Sequence, residues 1–157
     1  MRPVPDLPGM KILVCGLPGS GKTTLASALA QALGAVHFNA DVIRATVNRD
    51  LSFSVADRIE HARRMGGMCQ VVVDGGHWAI ADLVCPTAQT RFAFGSAYVI
   101  WMNTISSSRY ADTNALFEPP QTVDLMITNW AYKLEDVVAA ILAVVSSSTD
   151  RYAVFTN

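Results

Sequence analysis

Eight residues near the N-terminus combine three glycines, an amine and a hydroxyl: Gly16-Leu17-Pro18-Gly19-Ser20-Gly21-Lys22-Thr23. Their spacing is G-x-x-x-x-G-K-[ST], which suits them to cradling a polyphosphate. The glycines let the backbone approach the anion closely, the lysine can reach the β- and γ-phosphates, and the threonine hydroxyl can help hold Mg²⁺. The flanks agree with that chemistry. Lys11 to Cys15 is a short apolar run that reads as a buried strand, and Thr24 to Leu33 is rich in Ala and Leu and stops at Gly34, a helix with a glycine C-cap. A strand, a glycine loop and a helix N-terminus converging on one point make a phosphate site. The spacing therefore predicts binding of a nucleoside triphosphate, taken as ATP with Mg²⁺, through Gly16, Pro18, Gly19, Ser20, Gly21, Lys22, Thr23 and Thr24.

The elements that must position this loop follow from the rest of the chain. Its 157 residues suit one domain, 1–157, with residues 1–9 a proline-rich leader. Apolar residues make up 51% and charged residues only 16%, a balance for a buried sheet covered by helices rather than for disorder. A net charge of −1 gives no electrostatic case for nucleic acid or membrane binding. Three cysteines without a C-x-x-C pair argue against a disulfide framework or zinc site and for a reducing cytoplasm. No apolar run is long enough to span a bilayer.

Strands are expected at Val36–Asn39, Ala97–Met102 and Leu125–Thr128, with an edge strand at Tyr152–Phe155. Helices are expected at Asp41–Val47, from Ser54 onward, and over Leu134–Val145. Val71-Val72-Val73-Asp74 reads two ways: a strand ending in a metal-binding aspartate, or a helix that stops at Gly75-Gly76 before a strand over His77–Val84. Alternation of strands and helices implies a three-layer α/β/α P-loop NTPase fold with a mainly parallel sheet, its site at the carboxyl ends of the strands.

From Asn39 the order of polar residues resembles the adenylylsulfate kinases. The family pattern D-G-D-N-V-R, then N-x-D-L-G-F-S-x-x-D-R-x-E-N-x-R-R, is matched by Asn39-Ala40-Asp41-Val42-Ile43-Arg44, then by Asn48 to Arg64. The resemblance runs from the P-loop to about Arg91. It favours the helix reading of Asp74 and sets Val84-Cys85-Pro86 in place of the family's I-S-P. It implies transfer of the ATP γ-phosphate to the 3′-hydroxyl of adenosine 5′-phosphosulfate, a small anionic nucleotide, and a possible homodimer.

On that resemblance Lys22 and Asp41 are the expected catalytic residues, with Thr23 and Asp41 at the metal. The acceptor would be held by Asp41, Arg44, Phe53, Arg58, His61, Cys85 and Pro86. Alternatively, Asp41 is a helix N-cap, Phe53 a core residue and His61 an exposed helix histidine. Arg109 could neutralise charge on the ATP phosphates. His77, Trp78, Trp130 and Tyr132 read as packing residues. Four departures stand out: Asn39 replaces an acid, His61 replaces the asparagine of E-N, Cys85 replaces a serine and so excludes a phosphoserine, and the lid after the fourth main strand is short. The other readings are a P-loop kinase for another nucleotide or hydroxylated metabolite, a silent nucleotide-binding module and, with no N-K-x-D motif to support it, a GTPase.

Overall fold

The computed structural model describes residues 9–153. Five strands form one sheet: β1 (Lys11–Cys15), β2 (Val36–Asn39), β3 (Ala79–Asp82), β4 (Tyr98–Met102) and β5 (Leu125–Ile127). They pair in the order β2-β3-β1-β4-β5, and every pair is parallel. Six helices connect or follow them: α1 (Lys22–Leu33), α2 (Ala40–Thr46), α3 (Val55–Asp74), α4 (Ala88–Phe94), α5 (Ala111–Leu116) and α6 (Leu134–Ala153).

Successive strand residues point to opposite faces, and the core divides accordingly. Ile12, Val14, Ile80 and Ile100 pack on one face with Leu25 and Leu29 of α1 and Val137 and Ile141 of α6. Leu13, Cys15, Ala79 and Ala81 pack on the other with Ala62, Met65 and Cys69 of α3 and Phe94 of α4. The result is the expected three-layer α/β/α sandwich. All three cysteines are free and buried. Among the described residues no helix is long and apolar enough to cross a membrane.

Local signals set most boundaries. Gly34 caps α1 in the left-handed region at φ 64°. Ser54 caps α3 by accepting from the Asp57 N–H. The three valines before Asp74 belong to that helix, which ends at Gly75, while Asp74 itself accepts from Gln70 at 2.8 Å. The strand that follows is shorter than expected, Ala79–Asp82, and His77 lies exposed outside it. Two short helices, α4 and α5, were not anticipated. The expected C-terminal edge strand is corrected: α6 runs on through Ala153, and the remainder of that segment lies outside the described residues.

α3 and α4 meet closely at Gly66, where an added Cβ would fall 2.0 Å from the Phe94 carbonyl oxygen. His61, one helical turn and a residue earlier, is buried at 2% exposure rather than displayed on the surface. Its Nδ1 takes the amide of Asn48 at 2.9 Å, and among the described residues Nε2 has no partner. Burial, then the nearby Arg44 and Arg64 charges, depress its pKa to about 4. A histidine that titrates at 4 when folded and near 6.5 when unfolded binds more protons unfolded. Stability should therefore be full above pH 6.5 and fall as the pH drops toward 4. Urea melts are expected to show a loss of roughly 1–2 kcal/mol at pH 5 relative to pH 7, and His61→Asn should flatten that dependence. An equally steep loss in the variant would clear His61 of the effect.

Candidate active site

The site forms where β1 meets its two neighbours, β3 and β4, at the point where strand order reverses. Loops leaving the carboxyl ends of parallel strands diverge there and open a crevice. A cavity of about 800 Å³ occupies it, with Pro18, Gly19, Gly21, Lys22, Thr23 and Thr24 along one side. Gly16, Gly19 and Gly21 have φ of 149°, 82° and 94°, values that side chains resist. Gly16 and Ser20 do not line the cavity, and among the described residues the buried Ser20 hydroxyl has no hydrogen-bond partner. Lys22 is buried and its ammonium donates to the Leu17 carbonyl at 2.9 Å. Desolvation pulls its pKa down, against the opposing pull of Asp82, Cys15 and Asp41.

Beside the loop lies a polar cluster of which the sequence reading singled out Thr23 and Asn39 but missed Asp82 and His37. Asp82, at the end of β3, is 2% exposed and lines the cavity beside the loop. The Thr23 hydroxyl donates to its Oδ1 at 2.9 Å, and His37 Nε2 lies 2.5 Å from its Oδ2. The Asn39 amide donates to Asp82 Oδ1 and to Thr23 Oγ1, each at 3.1 Å. The signal was present as Ala79-Ile-Ala-Asp82, an apolar strand ending in an acid, but the family resemblance set the metal carboxylate at Asp41 instead.

The opposite wall carries the residues expected to meet an acceptor. Asn39 caps α2 by accepting from the Val42 N–H at 3.0 Å. Asp41 is therefore not the cap; it stands exposed in the first turn with its carboxylate on the cavity. Phe53 and Arg58 line the same wall. Arg44 does not line it but stacks 4.4 Å from the Phe53 ring centroid and donates to the Ser52 carbonyl. Arg58 donates to the Phe53 carbonyl at 2.9 Å and to Thr113 Oγ1 at 3.2 Å, with Asp112 at 3.5 Å. It thereby ties α5 to α3. Phe53 is 63% exposed, so it is no core residue.

The structure does not bring every expected residue together. His61 is buried within the domain, and Cys85 and Pro86 are buried and absent from the cavity wall. Cys85 adopts φ 47°, unusual for a residue with a side chain, and its carbonyl accepts from Arg91. Arg109 does line the cavity, its guanidinium over the Tyr110 ring. Trp130 is corrected from a core residue: it is 57% exposed, lines the cavity and packs on Gly21, where a Cβ would come within 2.5 Å of its ring.

The family model for adenylylsulphate kinase matches residues 8–106. The chain belongs to the adenylylsulphate kinase family. The chloroplastic adenylyl-sulfate kinase 1 of Arabidopsis thaliana is 43% identical over 93 residues, covering 56% of this chain and 34% of that protein. An adenylyl-sulfate kinase of Shewanella sp. is 41% identical over 81 residues, covering 48% and 40%. The chain spans less than half the length of these curated relatives. In fold it is similar to a Mycobacterium tuberculosis APS kinase solved with AMPPNP and APS: TM-score 0.77, 20% identity, 87% of this chain and 99% of that one. The family match covers the P-loop, the polar cluster and the acceptor wall, and stops before α5 and Trp130.

Proposed function

We propose that this chain is an ATP-dependent phosphotransferase that passes the γ-phosphate to the 3′-hydroxyl of adenosine 5′-phosphosulfate. The observation that carries the reading is a single cavity shared by the P-loop lysine and threonine on one side and by Asp41, Phe53 and Arg58 on the other. Membership of the adenylylsulphate kinase family supports the choice of acceptor.

In this reading Lys22 and the N-terminus of α1 hold the β- and γ-phosphates. Asp41 orients the acceptor hydroxyl and takes its proton as the acceptor oxygen bonds to the γ-phosphorus. The bond from that phosphorus to the bridging oxygen breaks, and ADP leaves. Phe53 offers a face for the acceptor base, braced by Arg44, and Arg58 and Arg109 place cations at the anionic groups. Mg²⁺ suits this donor set. Among the described residues no three His, Cys, Asp or Glu side chains gather as a metal cage, and Mg²⁺ takes one or two carboxylates plus phosphate oxygens. Thr23 would hold it, and the same cavity offers two carboxylates, Asp41 and Asp82. When bound, the ion neutralises charge developing on the phosphates. The three buried thiols support a reducing, cytoplasmic setting, and a homodimer remains part of the reading.

One observation favours a second acceptor. The segment after β4 is short and pinned: Arg58 holds Thr113, and Glu118 accepts from the Ala88 N–H while its own N–H meets the Pro86 carbonyl. A wall fixed in this way suits a different nucleotide or hydroxylated metabolite. The deciding experiment is Mg²⁺-dependent ATP consumption across a panel of acceptors. Turnover with adenosine phosphosulfate at least tenfold above any other acceptor is the expected result. Efficient turnover with another acceptor alone would overturn the proposal in favour of the second.

A further inference from the structure

Strands β2 and β3 run parallel in a register that pairs Asn39 with Asp82. The two side chains emerge side by side at the carboxyl end of the sheet, against Thr23. Asn39 occupies the place where the family pattern D-G-D begins with an acid, and the acid lies instead one strand across. We infer that in this chain the carboxylate ordering the metal ion of the donor triphosphate is Asp82 on β3, held in place by His37 and Asn39. The inference rests on the triphosphate reading of the P-loop.

Burying a carboxylate is costly unless donors surround it. Asp82 has three: the Thr23 hydroxyl on Oδ1, the Asn39 amide on Oδ1 at 3.1 Å and at 3.4 Å on Oδ2, and His37 on Oδ2. The His37 contact takes one oxygen and leaves the other directed at Thr23. His37 is thus a positioning residue that fixes which oxygen serves the metal. Asp41 differs in each respect: it is exposed, stands on a helix rather than a strand end, and accepts no side-chain hydrogen bond among the described residues. It is free to meet an acceptor hydroxyl. Two carboxylates on one cavity therefore divide two tasks, and the pair Asn39/Asp82 is a charge moved across one rung of the ladder.

Moving the charge back is the test. Binding of a non-hydrolysable ATP analogue to the full chain would be measured by calorimetry, with Mg²⁺ and with EDTA, after circular dichroism verifies each variant's fold. Wild type should bind more tightly with Mg²⁺. Asp82→Asn should lose about 10- to 100-fold of that Mg²⁺-dependent gain, the usual effect of removing a group that orients a metal ligand, and should bind normally in EDTA. Asp41→Asn should retain the gain. The double variant Asn39→Asp with Asp82→Asn should recover most of it, and because aspartate also caps helices, α2 should start as before. If Asp82→Asn fails to fold, Asp82→Ser is judged by the same readout. Undiminished Mg²⁺ dependence without Asp82, or its loss in Asp41→Asn instead, would overturn this inference alone. A wild type that binds no analogue with or without Mg²⁺ would overturn the triphosphate reading as well.

Discussion

Replacing Lys22 with alanine is expected to reduce phosphoryl transfer by about 100- to 1000-fold, the range found when a preorganised charge is removed from developing negative charge. The setting of Lys22 suits that proposed task. The lysine is buried, and among the described residues its ammonium donates to the Leu17 carbonyl and forms no direct salt bridge. Burial acts against its charge while Asp82 and Asp41 favour it. A phosphate arriving in the cavity would supply the counter-charge that the free protein lacks. Folding has little to lose from the substitution, since an incompletely compensated buried charge disappears with it. The variant should thus melt near the wild-type temperature while losing turnover, and Lys22→Arg should not rescue it because the wider guanidinium does not fit a site shaped around a point charge. Retention of more than a tenth of wild-type turnover in Lys22→Ala would remove Lys22 from the mechanism.

Gly66→Ala and Gly67→Ala should shift stability in opposite directions, although the two residues are neighbours in the middle of α3. Helix propensity treats them alike and predicts a gain of about 0.5–1 kcal/mol for each. Packing separates them. At Gly67 an added methyl meets nothing within 4 Å, so the propensity gain should appear in full. At Gly66 the methyl would sit 2.0 Å from the Phe94 carbonyl oxygen and 2.9 Å from the Phe94 Cα. Those are backbone atoms of α4, which can yield only if the helix moves. The expected cost is about 3 kcal/mol, or about 6–12 °C in melting temperature for a chain of this size. Thermal melts of the two variants side by side decide the matter; equal shifts would mean that α3 and α4 are not in this close contact.

The same pair shows what a sequence reveals about this fold. The P-loop was legible because its chemistry is local: three glycines, one lysine and one threonine fix both conformation and ligand class. The start of α3 at Ser54 was legible for the same reason, resting on one capping residue, whereas its end at Gly75 was open on the residues alone and favoured only by the family resemblance. α4 and α5, at seven and six residues, are too short to show a helical period. What stayed hidden was long-range. Nothing near Gly66 in sequence announces the carbonyl of Phe94, nothing near Asp82 announces His37 or Thr23, and Trp130 reads as core until the P-loop is seen beneath it. His61 is the reverse case. Its position in a polar helix suggests exposure, yet α3 turns that residue inward, where Asn48 takes its Nδ1.

The Asn39 side chain has two ends with different allegiances. Its amide nitrogen reaches Thr23 and Asp82, and its oxygen holds the first turn of the helix that presents Asp41. One planar group therefore connects the place where a donor would dock to the group that would receive an acceptor's proton. Anything that rotates or pulls that amide when a triphosphate binds must also re-aim Asp41. Linkage makes such a connection work equally in both directions. The two substrates would then alter each other's affinity by one common factor, and a random order of binding need not mean independent binding.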